Sequence, residues 1–330
     1  MPTEVKRALR TAAGWAANQA AMEALYGVDG YYTTMTAWEA DNGGATSADL
    51  VTNDELVVLD CYNDWPSALV DNLQTFGFTT SATNNVTINV PQSERHEGTF
   101  STGFRLHTNQ YGVLFSPPNF SEVIGLSLRN LNSSGFGIKA QKASKLRNGL
   151  FRGSRGSNLS GNGTAGFEAS AENCVFIATN ASYAALDFGN YAYGAHRLQN
   201  SVCVNTAGAS KGLDMRNRGT AIVENCYLSG WMKDGVTFTS VRNNAAANGS
   251  PPGTSPLTTV ITSADFVNSA SLDYHLAAGS ALIDQGADLS GYFTDDFDGD
   301  TRAVPWDIGV DKYPAASGSA PIIGIALRGA

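Results

Sequence analysis

Three acidic side chains share one place in a recurring phrase. The phrase is a small residue, then apolar–variable–apolar: Gly135-Phe136-Gly137-Ile138, Gly166-Phe167-Glu168-Ala169, Ala185-Leu186-Asp187-Phe188, Gly212-Leu213-Asp214-Met215 and Gly235-Val236-Thr237-Phe238. Aligned, Glu168, Asp187 and Asp214 occupy the variable place on consecutive units, with Thr237 next. In a strand whose apolar residues point inward, these acids point outward. Carboxylates one strand apart would lie at roughly 5 Å, as in a retaining glycosidase, and two strands apart they approach the inverting spacing. Stacked acids also repel unless a cation or base intervenes, so the column is a candidate for binding an ion or a saccharide. Arg216 could supply the counter-charge instead, and a solvated face with local ion pairs is the plain alternative.

Asp296, Asp298 and Asp300 around Gly299 form a second, weaker candidate, for a metal. A full calcium loop of the helix–loop–helix type also needs a distal glutamate and flanking helices. The competing reading is a tight turn whose acids pair with Arg302. His96, His107, His196 and His275 show neither ligand nor triad spacing, and no nucleophile elbow or phosphate loop is present. Arg147, Arg152 and Arg155 lie close together as lyase-type bases would, without an identifiable acid partner. The sequence therefore assigns no catalytic residue and implies no cofactor.

The elements that must position these groups announce themselves through a repeat. Six times the chain writes apolar–polar–asparagine, ending at Asn130, Asn148, Asn173, Asn200, Asn225 and Asn243, with spacings of 18, 25, 27, 25 and 18 residues. Short strands with one apolar face, joined by Gly/Asn/Ser turns at this period, describe the rungs of a parallel β-helix. Leucine-rich repeats would need leucines at fixed places, and propeller blades about 40 residues each. The six asparagines are expected to build the fold. Stacked amides can bond in a ladder, and asparagine tolerates the left-handed turn. Cys174 and Cys226 each follow a ladder asparagine, but Ser201 takes that place between them. Two rungs, roughly 10 Å, exceed the reach of a disulfide, so free, buried thiols are expected.

Composition sets outer bounds. The 330 residues carry 21 basic and 30 acidic side chains, a net charge of −9, which opposes a nucleic-acid partner. Only 15% of residues are charged, 35 are glycine and 42% are hydrophobic, which suits a turn-rich β protein and excludes a disordered one. The sequence shows no apolar run long enough to span a membrane and no secretory h-region after the first residues, so synthesis in a reducing cytoplasm is expected.

Three segments are expected: an N-terminal cap at 1–84, a β-helix body at 85–250 and a C-terminal segment at 251–330. Val5, Leu9, Ala12, Ala13, Ala16 and Ala20 have helical spacing, and Thr33–Ala40 looks like a capped short helix. Strands are expected at Leu56–Leu59, Val86–Val90, Gly103–Leu106 and Gly112–Phe115. Residues 284–311 hold eight aspartates against one arginine, a contrast with Lys6, Arg7 and Arg10 that suggests charged docking of the ends. The apolar tail Pro321–Ala330 would cap the last rung or add a strand to a neighbour.

Tyr32-Thr33-Thr34-Met35-Thr36-Ala37-Trp38 with Asp54–Leu59 resembles the opening of right-handed parallel β-helix repeat proteins. So do Asp273–Leu276, Ser280–Gly286, Asp296–Arg302 and Asp307–Gly309 in the C-terminal segment. The resemblance implies an all-β fold, a right-handed solenoid with a small helical N-terminal cap and an irregular C-terminal segment. It covers a group that includes polysaccharide lyases, glycosidases, phage tailspikes and virion proteins. Among these the chain is expected to be a structural virion protein of a tailed bacteriophage, such as a capsid decoration. Its partners would be virion or capsid proteins, further copies of itself (a homotrimer) and a surface polysaccharide. The alternative is a tailspike-like or secreted polysaccharide-degrading enzyme; a surface adhesin is the third class.

Overall fold

The computed structural model describes residues 1–42, 48–71, 77–111, 120–141, 143–160, 168–189, 195–208, 211–215, 219–233 and 236–314. Among these the chain is mostly strand, organised in three parallel sheets of ten, eight and five strands. From Glu55 to Ala246, strands that follow one another in sequence fall in different sheets. Thus Ala143–Arg147 lies in the first sheet, Leu150–Gly153 in the second and Ser157–Ser160 in the third. Glu168–Glu172 then returns to the first, in register with Ala143–Arg147. From Phe120 to Lys233 each round adds one strand to every sheet, an arrangement consistent with a solenoid.

Alternation explains which faces are buried. Val123, Leu146, Ala171, Leu198 and Val223 occupy one register column of the first sheet. Leu128, Phe151, Phe176, Cys203 and Leu228 do the same in the second. Both columns enter one continuous core, in which Phe151 and Phe176 stack at 5.4 Å. Burying one large apolar side chain stabilises by about 1.5–3 kcal/mol, so these columns supply the drive for stacking.

The turn from first to second sheet is the most regular feature of the chain. From Phe120 onward it spans two residues on each of six rounds, whereas the two earlier rounds take 62–68 and 90–104 for the same step. On five of the six its first residue is a left-handed asparagine, with φ 51° at Asn148, 51° at Asn173, 44° at Asn200, 55° at Asn225 and 50° at Asn243. Five of the six predicted asparagines thus form one column. Asn130 does not belong to it. It ends a second-sheet strand opposite Thr108, and Gly125 (φ 72°) holds the turn on that round. Asn130 is one of two asparagines, with Asn205, that end a second-sheet strand and tie the turn that follows. The Asn130 amide donates to Gln110 O and Phe136 O, as the Asn205 amide does to Asn180 O and Tyr183 O.

The parallel stack also reaches further toward the N-terminus than the expected 85–250 body. Thr3–Leu9 pairs over seven residues with Glu55–Cys61, so Val5 and Leu9 lie in a strand, not in a helix. Long-range pairing overrides the helical spacing there, and the helix begins at Ala12, capped by Thr11. The capped helix at Met35–Asn42 and the strands at Glu55–Cys61, Val86–Asn89 and Arg105–Thr108 agree with expectation. Gly112–Phe115 and the tail Pro321–Ala330 lie outside the described residues. All four cysteines are free and buried, and Ser201 stands between Cys174 and Cys226 as read, its hydroxyl accepting from Cys174 N.

The C-terminal segment is the part sequence reasoning placed least well. It lies along the body. Ile261, Phe266, Tyr274, Leu282, Phe297, Ile308 and Val310 form a second core against Leu150, Val175, Val202 and Tyr227, the outward column of the second sheet. Thr254 and Leu257 bridge to Arg242 and Ala245 and so cover the final strand edges. Among the described residues no helix is long and apolar enough to cross a membrane.

Candidate functional site

The acidic column separates into two. Asp187 and Asp214 are register neighbours in the third sheet, continued by Asn158 on one side and Met232 on the other. Glu168 starts a first-sheet strand instead, where it shares a column with Ala195, Thr220 and Thr237. Its carboxylate pairs with Arg197 at 3.0 Å. Strands of both sheets open with the same small–apolar phrase, which is why one alignment mixed them. Asp214 is buried, and the Asp187 carboxylate accepts from Gly189 N at 2.9 Å. Arg216 lies outside the described residues.

The aspartates of 284–311 organise turns. Asp296 is fully buried and accepts from the backbone amides of Asp298, Asp300 and Lys312; burial pushes its pKa up to about 6. Asp307 accepts from Asp284 N and Tyr313 N, each at 2.7 Å. The tight turn at Gly299 is therefore real, but the acids do not form ion pairs with Arg302. That guanidinium is wrapped by carbonyl oxygens of Asp295, Gly309, Val310 and Asp311, and it also donates to Asn173 Oδ1. Burial lowers its pKa to about 10, opposed by the surrounding aspartates.

Arg302 closes a gap in the asparagine ladder. Asn173 donates to Asn148 Oδ1 and Asn225 to Asn200 Oδ1, both at 3.1 Å. The other amide bonds of the column go to the C-terminal segment: Asn148 to Asp295 Oδ2, Asn173 to Asp295 O, Asn200 to Asp307 O and Gly309 O, Asn225 to Ala287 O, and Asn243 to Gln285 O. The ladder is thus a docking strip as well as a turn. The C-terminal segment is a partner that the repeat does not reveal.

Of the three predicted metal aspartates, Asp298 is the one that joins a cluster of three ligand-type side chains among the described residues. With His275 and Asp311 it places three such atoms within 4.8 Å of one another. Both imidazole nitrogens are already engaged, Nδ1 with Asp273 Oδ1 at 2.6 Å and Nε2 with Asp298 Oδ2 at 2.8 Å. Burial disfavours the charged ring, but bonds to Asp298 and Asp273 prevail and raise its pKa to about 9. The arrangement is a carboxylate–imidazolium–carboxylate clamp. Its folded pKa exceeds the ordinary 6.5, so its stabilisation is complete below about pH 6.5 and disappears as pH rises through about 9. We expect chemical denaturation to show up to ~3 kcal/mol lost across that window, and His275→Gln to flatten the slope. An equal slope in the variant would remove His275 as its source.

Sequence reasoning missed a basic strip on the outer face of the second sheet. His107, Arg129 and Arg152 are register neighbours on three successive strands, followed by Ile177 and Val204. Arg105 lies on the same face, one column away. Burial lowers the pKa of Arg152, and Arg129 lowers it further; burial, Arg129 and Arg105 do the same to His107. No carboxylate lies within ion-pair distance of these four side chains among the described residues, and Asp234 is the only acid outside those residues. Arg152 lines two adjoining clefts. One, of about 270 Å³, holds Arg129, Asn132, Ser133, Ser154 and Thr179; the other, of about 640 Å³, is lined by Tyr227, Tyr274 and residues 261–272. Beside them Arg155 sits among three rings, with Cζ 4.7 Å from the Phe136 and Tyr183 centroids and 5.6 Å from Tyr111. The available signal was periodic: His107, Arg129 and Arg152 recur at 22 and 23 residues.

No family model, curated protein or solved structure matches the chain.

Proposed function

We propose that the chain is a right-handed parallel β-helix that serves as a structural component of a tailed-phage particle. It would be made in the host cytoplasm and carried on the virion surface among capsid or other virion proteins, as a homo-oligomer, a trimer in the simplest case. The observation that supports this reading is the closure of the stack by its own chain. The segment after residue 250 covers the last strand edges, the Leu150–Val175–Val202–Tyr227 column of the second sheet's outer face and the asparagine column. Such a body is built for rigidity on a particle exposed to its surroundings. The sequence resemblance supplies the phage context. Mass spectrometry and immunogold labelling of gradient-purified particles should find the chain at stoichiometric level. Its presence in the free lysate alone would sink the reading.

A depolymerase is the second reading, favoured by the in-register Asp187 and Asp214. Particles carrying Asp187→Asn with Asp214→Asn should assemble normally and process host polysaccharide as the parent does. Turnover in the parent, lost in the variant with unchanged melting, would make this pair an active site.

A further inference from the structure

We infer that the strip formed by His107, Arg129 and Arg152, with Arg105 and Arg155 beside it, binds a linear acidic glycan lying along the stacking direction of the sheets. The inference goes beyond the particle reading and stands without it. Three cationic or protonatable side chains stacked in register repel one another, and in a chain of net charge −9 no acid among the described residues is placed to relieve them. Elsewhere the protein does pair its stacked charges. On the first sheet Arg147 meets Glu172, Glu122 and Asp295, and Glu224 meets Arg242. The unpaired strip is therefore a local exception, and an external anion would complete it.

Spacing and surroundings select the kind of anion. Successive strands stand about 4.8 Å apart, close to the length of one pyranose along a polysaccharide. A chain with one carboxylate per sugar would then offer one anion per strand. Asn132, Ser133, Ser154 and Thr179 line the same groove and suit ring hydroxyls. Tyr111, two-thirds exposed, and its neighbour Tyr183 present ring faces of the kind that pack on sugar C–H groups. A nucleic acid would meet the repulsion of the remaining acidic surface, and an extended acidic peptide, which advances about 3.3 Å per residue, does not match the strand spacing.

Oligogalacturonate, in which every sugar carries a carboxylate, is the probe, with neutral dextran, poly-glutamate and single-stranded DNA as comparators. Calorimetry on the full chain should show salt-sensitive binding of oligogalacturonate, none of dextran, and at least tenfold weaker binding of the other two. Arg129→Gln with Arg152→Gln should weaken oligogalacturonate binding tenfold or more. Because the double variant relieves repulsion, its melting temperature should stay the same or rise. Arg7→Gln, at the far end of the stack, should bind as the parent does. Absence of oligogalacturonate binding, equal or tighter binding of poly-glutamate or DNA, or retention of affinity in the double variant would overturn the inference. A fall in melting temperature would show that the arginines are structural.

Discussion

Arg302→Met should release the C-terminal segment from the body. The methionine fills much of the volume but donates nothing, leaving the carbonyls of Asp295, Gly309, Val310 and Asp311 and the Asn173 side-chain oxygen without that donor. Each buried acceptor left unmade costs about 1–3 kcal/mol, while removal of a buried cation returns part of its desolvation penalty. A net loss of ~3 kcal/mol or more is expected. Asp296, Asp307 and Asp311, all buried nearby, would also lose the positive charge they face. Opening should be local first, because the main core makes no use of Arg302. Limited proteolysis should cut within 284–311 while the stacked strands stay intact, and amide exchange at Gly309 should accelerate. Arg302→Lys should fall between parent and Met, since a point-like ammonium cannot span acceptors placed for a planar fork. Proteolysis and melting indistinguishable from the parent would show that the segment is held by its apolar contacts alone.

The second large effect is expected at Asn225. This residue combines left-handed backbone with three side-chain bonds: it donates to Asn200 Oδ1 and to Ala287 O, and accepts from Ala287 N at 2.7 Å. Alanine there should cost ~3–5 kcal/mol, of which ~1–2 kcal/mol is the penalty for a Cβ residue in this conformation without local help. Glycine removes the backbone part and leaves the rest, so Asn225→Gly should recover about 1 kcal/mol relative to Asn225→Ala. Denaturant unfolding of the pair separates the two contributions. Equal stability of the Ala and Gly variants would mean that the positive φ carries no cost here. Asn243, whose amide makes one exposed bond to Gln285 O, should tolerate the same change far better.

These two sites mark the limit of what the sequence makes legible. The turn column could be read because a left-handed corner accepts so few residue types, and Asn148, Asn173, Asn200, Asn225 and Asn243 repeat that demand at every round. Asn130 was misplaced because its tripeptide is shared by the opposite corner, and glycine at 125 broke the motif on its own round. Glu168 was grouped with Asp187 and Asp214 because strands of the first and third sheets begin alike, and only the register separates them. The role of Arg302 could not be read at all. Its partners are main-chain carbonyls, which leave no mark on side-chain type, together with an asparagine 129 residues away. The basic strip is legible in principle at its 22- and 23-residue spacing, but histidine and arginine are common on solvated faces and their types alone do not mark a column.

The two-residue corner has a consequence for how this chain can change in length. From Asn148 to Asn173, Asn200, Asn225 and Asn243 the rounds measure 25, 27, 25 and 18 residues, yet the corner between first and second sheets never varies. Nearly all of the difference is taken up on the far side, between the end of a second-sheet strand and the next first-sheet strand. An added residue at the asparagine corner would offset the register of the strand that follows and turn its core side chains outward. The same residue at the far side joins a path that already differs by eight residues between rounds. Along these rounds, peptide grafts, affinity tags or natural insertions therefore have one permitted flank, and the asparagine flank acts as a fixed spine; the longer paths at 62–68 and 90–104 lie on the earlier rounds, before the asparagine column begins.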